Sequence, residues 1–79
     1  MRIQVLGTGC PKCRETLARV REAANALGVA AKIEKVEDIR DIIAFGIVAT
    51  PAIAIDGVVK ISGRLATIEE ITEILRNEA

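Results

Sequence analysis

The chain has no histidine, tryptophan or tyrosine, and one aromatic residue, Phe45, among 79. Without imidazole, histidine-based proton transfer and histidine metal ligation are excluded. Without aromatic platforms, the usual surface for stacking nucleobases is missing. Neither sign of charge is in excess, since eleven Lys and Arg balance eleven Asp and Glu. Such a chain offers no net attraction to nucleic acid or an anionic membrane, and neither is expected as a partner. The longest uncharged stretch, Ile42 to Ile55, has 14 residues and contains Thr50-Pro51, too short to span a bilayer. Charged and polar residues interrupt the N-terminal apolar pattern too early for a signal peptide. The expected location is cytoplasmic, where stable structural disulfides are rare. Proline and cysteine are scarce too, two of each.

What is present argues for a packed globule. The composition is 51% hydrophobic, mainly Ile, Val, Leu and Ala, which argues against disorder. Seventy-nine residues make one small domain, 1–79. A domain of that size buries about 60% of its unfolded-chain surface.

Met1 to Leu6 reads as a strand with Ile3 and Val5 on one face, stopping at Gly7. After the loop Gly7-Thr8-Gly9, a helix is predicted from Pro11, suited to a first helical turn, to Leu27, with Gly28 as C-cap. Its apolar stripe is Cys13, Leu17, Val20, Ala24 and Leu27. Ala31 to Val36 is a second strand. Asp38 caps a second helix with Ile39, Ile42 and Ile43 inward and Gly46 as its stop. Ala52 to Ile55 and Val58 to Ser62 form a hairpin around Asp56-Gly57. Thr67 and Glu70 make a capping box for a last helix, to Asn77, with Ile68, Ile71 and Leu75 inward. The order βαβαββα predicts an α/β fold. The first two strands are parallel, the hairpin adds two antiparallel ones, and helices cover both faces of a mixed four-stranded sheet.

Both cysteines lie in "LGTGCPKCRETL". Cys10 is at the helix N-cap, on the loop side, whereas Cys13 falls on the buried stripe. Two sulfurs in one helical turn can bond, and unequal environments suit dithiol exchange: one thiol meets a partner and the other resolves the mixed disulfide. Free N–H groups and the helix dipole favour a thiolate at Cys10, and Lys12 and Arg14 add positive charge. An ordinary thiol of pKa ~8.5 is about 3% ionised at pH 7, and lowering it to ~7 would ionise about half. A structural staple is the weaker reading, because so short a loop adds only roughly 2 kcal/mol. Zinc would need further ligands. Linear Cu(I) between two thiolates is chemically possible.

The segment "IQVLGTGCPKCRETLARV" resembles the start of heavy-metal-associated metallochaperone domains, which would imply a soft-metal carrier of Cu(I) or Zn. That likeness covers about the first 30 residues. Those domains continue as ββαβ and end in a strand, and Thr8 stands where they often carry methionine.

A fuller likeness spans nearly the whole chain. Cys10-Pro11-Lys12-Cys13 after strand one, Thr50-Pro51 before strand three and Gly63 after strand four resemble the thioredoxin superfamily. Within it, the chain is most similar to small prokaryotic thioredoxin-like or glutaredoxin-like proteins, sometimes called redox-active disulfide proteins. The resemblance implies a thioredoxin-like fold and a redox-active Cys10–Cys13 disulfide, with Cys10 attacking and Cys13 resolving. It implies a cis Pro51 facing the dithiol, Thr50 pairing its backbone with substrate, and Gly63 keeping the groove open. Lys12 is assigned to tuning Cys10. The implied activity is thiol–disulfide exchange with protein disulfides, recharged by an upstream disulfide reductase, by a monomer without cofactor or metal.

The chain departs from the pattern in places. Gly9 replaces the tryptophan before the first cysteine, and Pro-Lys replaces Gly-Pro between the two. The buried acid that assists proton transfer in many thioredoxins has no counterpart in "RIQVLG". Lys12 stands where glutaredoxins commonly carry tyrosine. The two-cysteine motif differs from the C-G-F-S of cluster-binding glutaredoxins.

Overall fold

The computed structural model describes residues 1–47 and 49–78. Its elements are β1 (Arg2–Leu6), α1 (Pro11–Leu27), β2 (Lys32–Val36), α2 (Ile39–Ala44), β3 (Ala52–Ile55), β4 (Val58–Ser62) and α3 (Ile68–Glu78). The strands form one sheet in the order β2-β1-β3-β4. β1 pairs parallel with β2, Leu6 opposite Val36, and antiparallel with β3, Leu6 opposite Ala52. β3 and β4 are antiparallel, with a register shift between Ile53 and Ala54. This is the expected mixed α/β, thioredoxin-like topology.

Alternation along the strands divides the core in two. Ile3, Val5, Ile53, Ile55 and Ile61 face α1 and α3, where they meet Val20, Ala23, Ala24, Ile71 and Leu75. Leu6, Ala52 and Ala54 face the other way, toward Ile42 of α2 and Ile47 beyond it, with Phe45, Val36 and Val59 packed alongside. Helices thus cover both faces, as the pattern predicts.

Local chemistry fixes the element ends. Gly28 adopts φ 66° and donates its N–H to Asn25, closing α1. The Asp38 side chain accepts from the Arg40 N–H at 2.9 Å, which starts α2. Thr67 Oγ1 accepts from Glu70 N–H and Glu70 Oε1 accepts from Thr67 N–H, both at 3.1 Å, completing the capping box of α3. Asp56 and Gly57 both have positive φ, as a tight two-residue hairpin turn requires.

Two expectations about inward residues need correction. Ile39 and Ile43 are 57% and 63% exposed, and only Ile42 of α2 is buried. A helix of six residues makes fewer than two turns, so it presents a single residue squarely to the sheet. On α1 the buried residues are Cys13, Thr16, Val20, Ala23 and Ala24, with Leu17 and Leu27 only half-buried. The buried stripe takes in Thr16, whose hydroxyl is satisfied by donating to Lys12 O at 2.8 Å.

Candidate active site

The Cys10–Cys13 pair stands where β1 ends and α1 begins, as a disulfide with Cα atoms 5.0 Å apart. Cys10 is the N-cap in extended conformation, and its sulfur accepts the Cys13 backbone N–H at 3.2 Å. Its carbonyl accepts the first helical bond, from Arg14 N–H at 3.0 Å. Pro11 occupies the first turn, where a missing N–H costs nothing, and no acidic residue lies in that turn. A sulfur anion at Cys10 would therefore meet backbone donors and no competing carboxylate from its own helix turn. Lys12 is exposed on this turn. Arg14 Nη1 donates to Gly9 O at 2.8 Å and braces the loop that delivers Cys10.

The two sulfur-bearing residues differ in access. Cys10 is half-buried, whereas Cys13 is 6% exposed. Cys13 lies against Gly7, a buried glycine whose role is steric. A Cβ at Gly7 would overlap the Cys13 sulfur, lie 2.9 Å from the Cys13 Cβ and reach within 3.8 Å of the Thr50 Cβ. Gly7 thus lets strand, helix and the Thr50 loop converge on one point. Its sequence signal was only that of a strand stop.

The Thr50–Pro51 bond is cis, as the resemblance implies, with Pro51 buried and Thr50 half-buried. Gly63 N–H donates to Pro51 O at 3.0 Å. Gly63 has φ 79°, and a Cβ there would lie 3.2 Å from that of Ala49, so a side chain would crowd this loop. The structure therefore gathers Cys10, Cys13, Thr50 and Pro51 at one end of the sheet, with Gly63 one hydrogen bond behind. Next to Gly63, Arg64 hydrogen-bonds Glu70. That bond, aided by the Thr67 N–H, holds the Glu70 carboxyl down at about 2.

On the β2 side of Cys13 an open cleft of about 440 Å³ runs between α1 and the sheet, lined by Cys13, Arg14, Leu17, Arg21, Lys35 and Glu37 among others. Among the described residues no group of three or more His, Cys, Asp or Glu is placed to hold a metal ion. Nor, among them, is any helix long and apolar enough to cross a membrane.

A four-stranded mixed sheet flanked by helices, with C-x-x-C at a helix N-cap beside a cis-proline loop, defines a thioredoxin-like dithiol protein. Residues 1–76 match the family model described as thioredoxin domain, and the chain belongs to that family. It is 44% identical over 75 residues to a thioredoxin of Methanothermobacter thermautotrophicus, covering 95% of this chain and 97% of that protein. It is 41% identical over 75 residues to a thioredoxin of Methanocaldococcus jannaschii, covering 95% and 86%. A probable thioredoxin of the former organism is 36% identical over 72 residues, covering 87% and 84%. The family does not favour the metallochaperone alternative, and the chain's last described element is a helix, α3, rather than a strand.

Proposed function

We propose that the protein is a thiol–disulfide oxidoreductase that exchanges its Cys10–Cys13 pair with protein disulfides. The observation that carries this reading is the asymmetric disulfide at the N-terminus of α1, one sulfur-bearing residue half-buried and the other 6% exposed. Cys10, as thiolate, attacks a substrate disulfide and releases one substrate thiol. Cys13 then attacks the Cys10 sulfur of the mixed disulfide and releases the second. Lys12 supplies positive charge beside Cys10. The Thr50 backbone receives an extended substrate segment, Pro51 fixes its approach and Gly63 keeps that side open. An upstream disulfide reductase in a reducing, cytoplasmic setting returns the pair to dithiol, and the protein works as a monomer without bound cofactor.

The test is insulin reduction with dithiothreitol as electron source, combined with trapping. Cys13→Ser should accumulate a mixed disulfide with a protein substrate, since nothing remains to attack the Cys10 bond, while Cys10→Ser should trap far less. Equal trapping by both variants would show that the assigned roles are wrong. Absence of insulin reduction by the unaltered protein would remove the activity itself.

A further inference from the structure

For Cys13 to attack, its thiol must lose a proton, and an ordinary thiol is only about 3% ionised at pH 7. Cys13 is 6% exposed, and the strand beneath it contributes no carboxylate. Its outlet is the cleft of about 440 Å³ on the β2 side, roomy enough for several waters. The charged groups lining that cleft are Arg14 and Arg21 from α1, and Lys35 and Glu37 at the end of β2. Three are cations without an acceptor atom. Glu37 is the one carboxylate among the described residues that line it.

Two contacts place Glu37 at the mouth nearest the disulfide. Gly7 N–H donates to Val36 O at 2.9 Å, which sets Glu37 beside the loop that carries Gly7. A Cβ on Gly9, the residue before Cys10, would lie 3.4 Å from Glu37 Oε2. The Glu37 side chain keeps about half its exposure, 54%, and its other oxygen is 3.9 Å from Lys35 Nζ. On the opposite side of the sheet Glu34, Asp38 and Asp41 share a second cleft with Glu37 and Lys35, and none of those three lines the cleft of Cys13.

We propose that Glu37 is the proton acceptor for Cys13, acting through water held in this cleft. The inference rests on the oxidoreductase reading and adds its missing proton step. The Cys13 proton passes by water to the Glu37 carboxylate. The freed sulfur electron pair attacks the Cys10 sulfur, the Cys10–Cys13 bond forms, and the Cys10–substrate bond breaks with its electron pair leaving on the substrate sulfur. The dithiol is oxidised by two electrons and the substrate disulfide reduced by two, and Glu37 returns its proton to solvent through the open side. Arg14, Arg21 and Lys35 favour the negative charge as it develops on Cys13.

The test isolates the resolving step. Reduced protein is loaded at Cys10 with 2-nitro-5-thiobenzoate as a mixed disulfide, and release of the coloured thiolate by Cys13 is followed by stopped flow across pH. Glu37→Gln should slow release at pH 7 by about tenfold or more, within the usual reach of a positioned base. Its rate should rise more steeply with pH than that of the unaltered protein and be accelerated by added imidazole or phosphate, which leave the unaltered protein unaffected. Glu37→Asp should recover part of the rate, and alkylation of Cys10 should be unchanged in both. An unaltered release rate and pH profile in Glu37→Gln would overturn the proposal. So would slower release without a changed profile or rescue by added base, because a merely structural effect gives neither. Loss of insulin reduction by the unaltered protein, with normal release of the coloured thiolate, would instead strike the oxidoreductase reading.

Discussion

One face of the sheet is covered by α1 and α3, of 17 and 11 residues, and the other by α2, of six. The first face holds a continuous cluster in which four isoleucines from the strands meet both helices, with Ile71 and Leu75 buried between. On the second, α2 contributes one buried side chain, Ile42, and leaves Ile39 and Ile43 to solvent. The deep face holds Cys13 on α1, and the Thr50–Pro51 loop follows the shallow one. The difference suggests a division of labour: stability resides mainly on one side, and the chain segment proposed to meet substrate hangs from the lighter one.

The comparison is sharpest at its most buried residues. Leu75→Ala should lower unfolding free energy by about 3–5 kcal/mol, and Ile42→Ala by less, near 2 kcal/mol. Urea unfolding of both variants checks this, and an equal or larger loss at Ile42 would break the contrast. Gly7→Ala tests the point where strand, helix and loop converge. A methyl there overlaps Cys13, so a cost of about 1–3 kcal/mol is expected, together with slower disulfide exchange as Cys13 is displaced. The double variant Ile39→Ser/Ile43→Ser should change stability by no more than about 0.5 kcal/mol per site, since neither side chain is buried. A larger loss by thermal unfolding would mean that the shallow face holds more of the fold than its burial shows.

The smallest effect belongs to the exposed pair Arg64–Glu70, which appears only in acid. The Glu70 carboxyl is held at about 2, against an ordinary 4.5, first by the Arg64 hydrogen bond and then by the Thr67 N–H. Above pH 4.5 its carboxylate is ionised folded or unfolded, and the interaction contributes in full. As pH falls from 4.5 toward 2 the unfolded chain takes up the proton first, so that contribution is lost across this window. The carboxyl resonance of Glu70 should titrate near 2, and Glu70→Gln should flatten that part of the acid-unfolding curve.

Much of this was readable from residue order because the decisive signals are local. Pro11 at a helix start, Asp38 and Thr67 with Glu70 as caps, and Asp56-Gly57 as a turn each act within four residues and fall where the pattern puts them. The cysteine spacing and Thr50-Pro51 carried the family. Features set by distant neighbours were not readable. Thr16 is buried on α1, and nothing near it in the sequence says so. Helical periodicity puts Ile39 and Ile43 inward because it assumes more turns than α2 has. Gly7 gives no hint that a sulfur six residues on will occupy the space its side chain lacks. Nothing local in the sequence marks Glu37, and its place beside Gly9 comes from the pairing of β2 with β1.

That pairing has a consequence for the order in which the molecule is assembled. β1 lies in the middle of the sheet, yet its register partners come far later in synthesis: Arg2 waits for Lys32, and Ile3 for Ile33 and then Ile55. While the chain is being translated, the first strand and the thiols after it are therefore present before any wall of the site exists. A protein whose tail is still in the ribosome exposes an unshielded dithiol to whatever oxidant is near. With two cysteines among these 79 residues, that early exposure can close only one ring between them, the native one. Premature oxidation between these two thiols thus yields the same Cys10–Cys13 connectivity as the finished fold, even before β3 and β4 arrive.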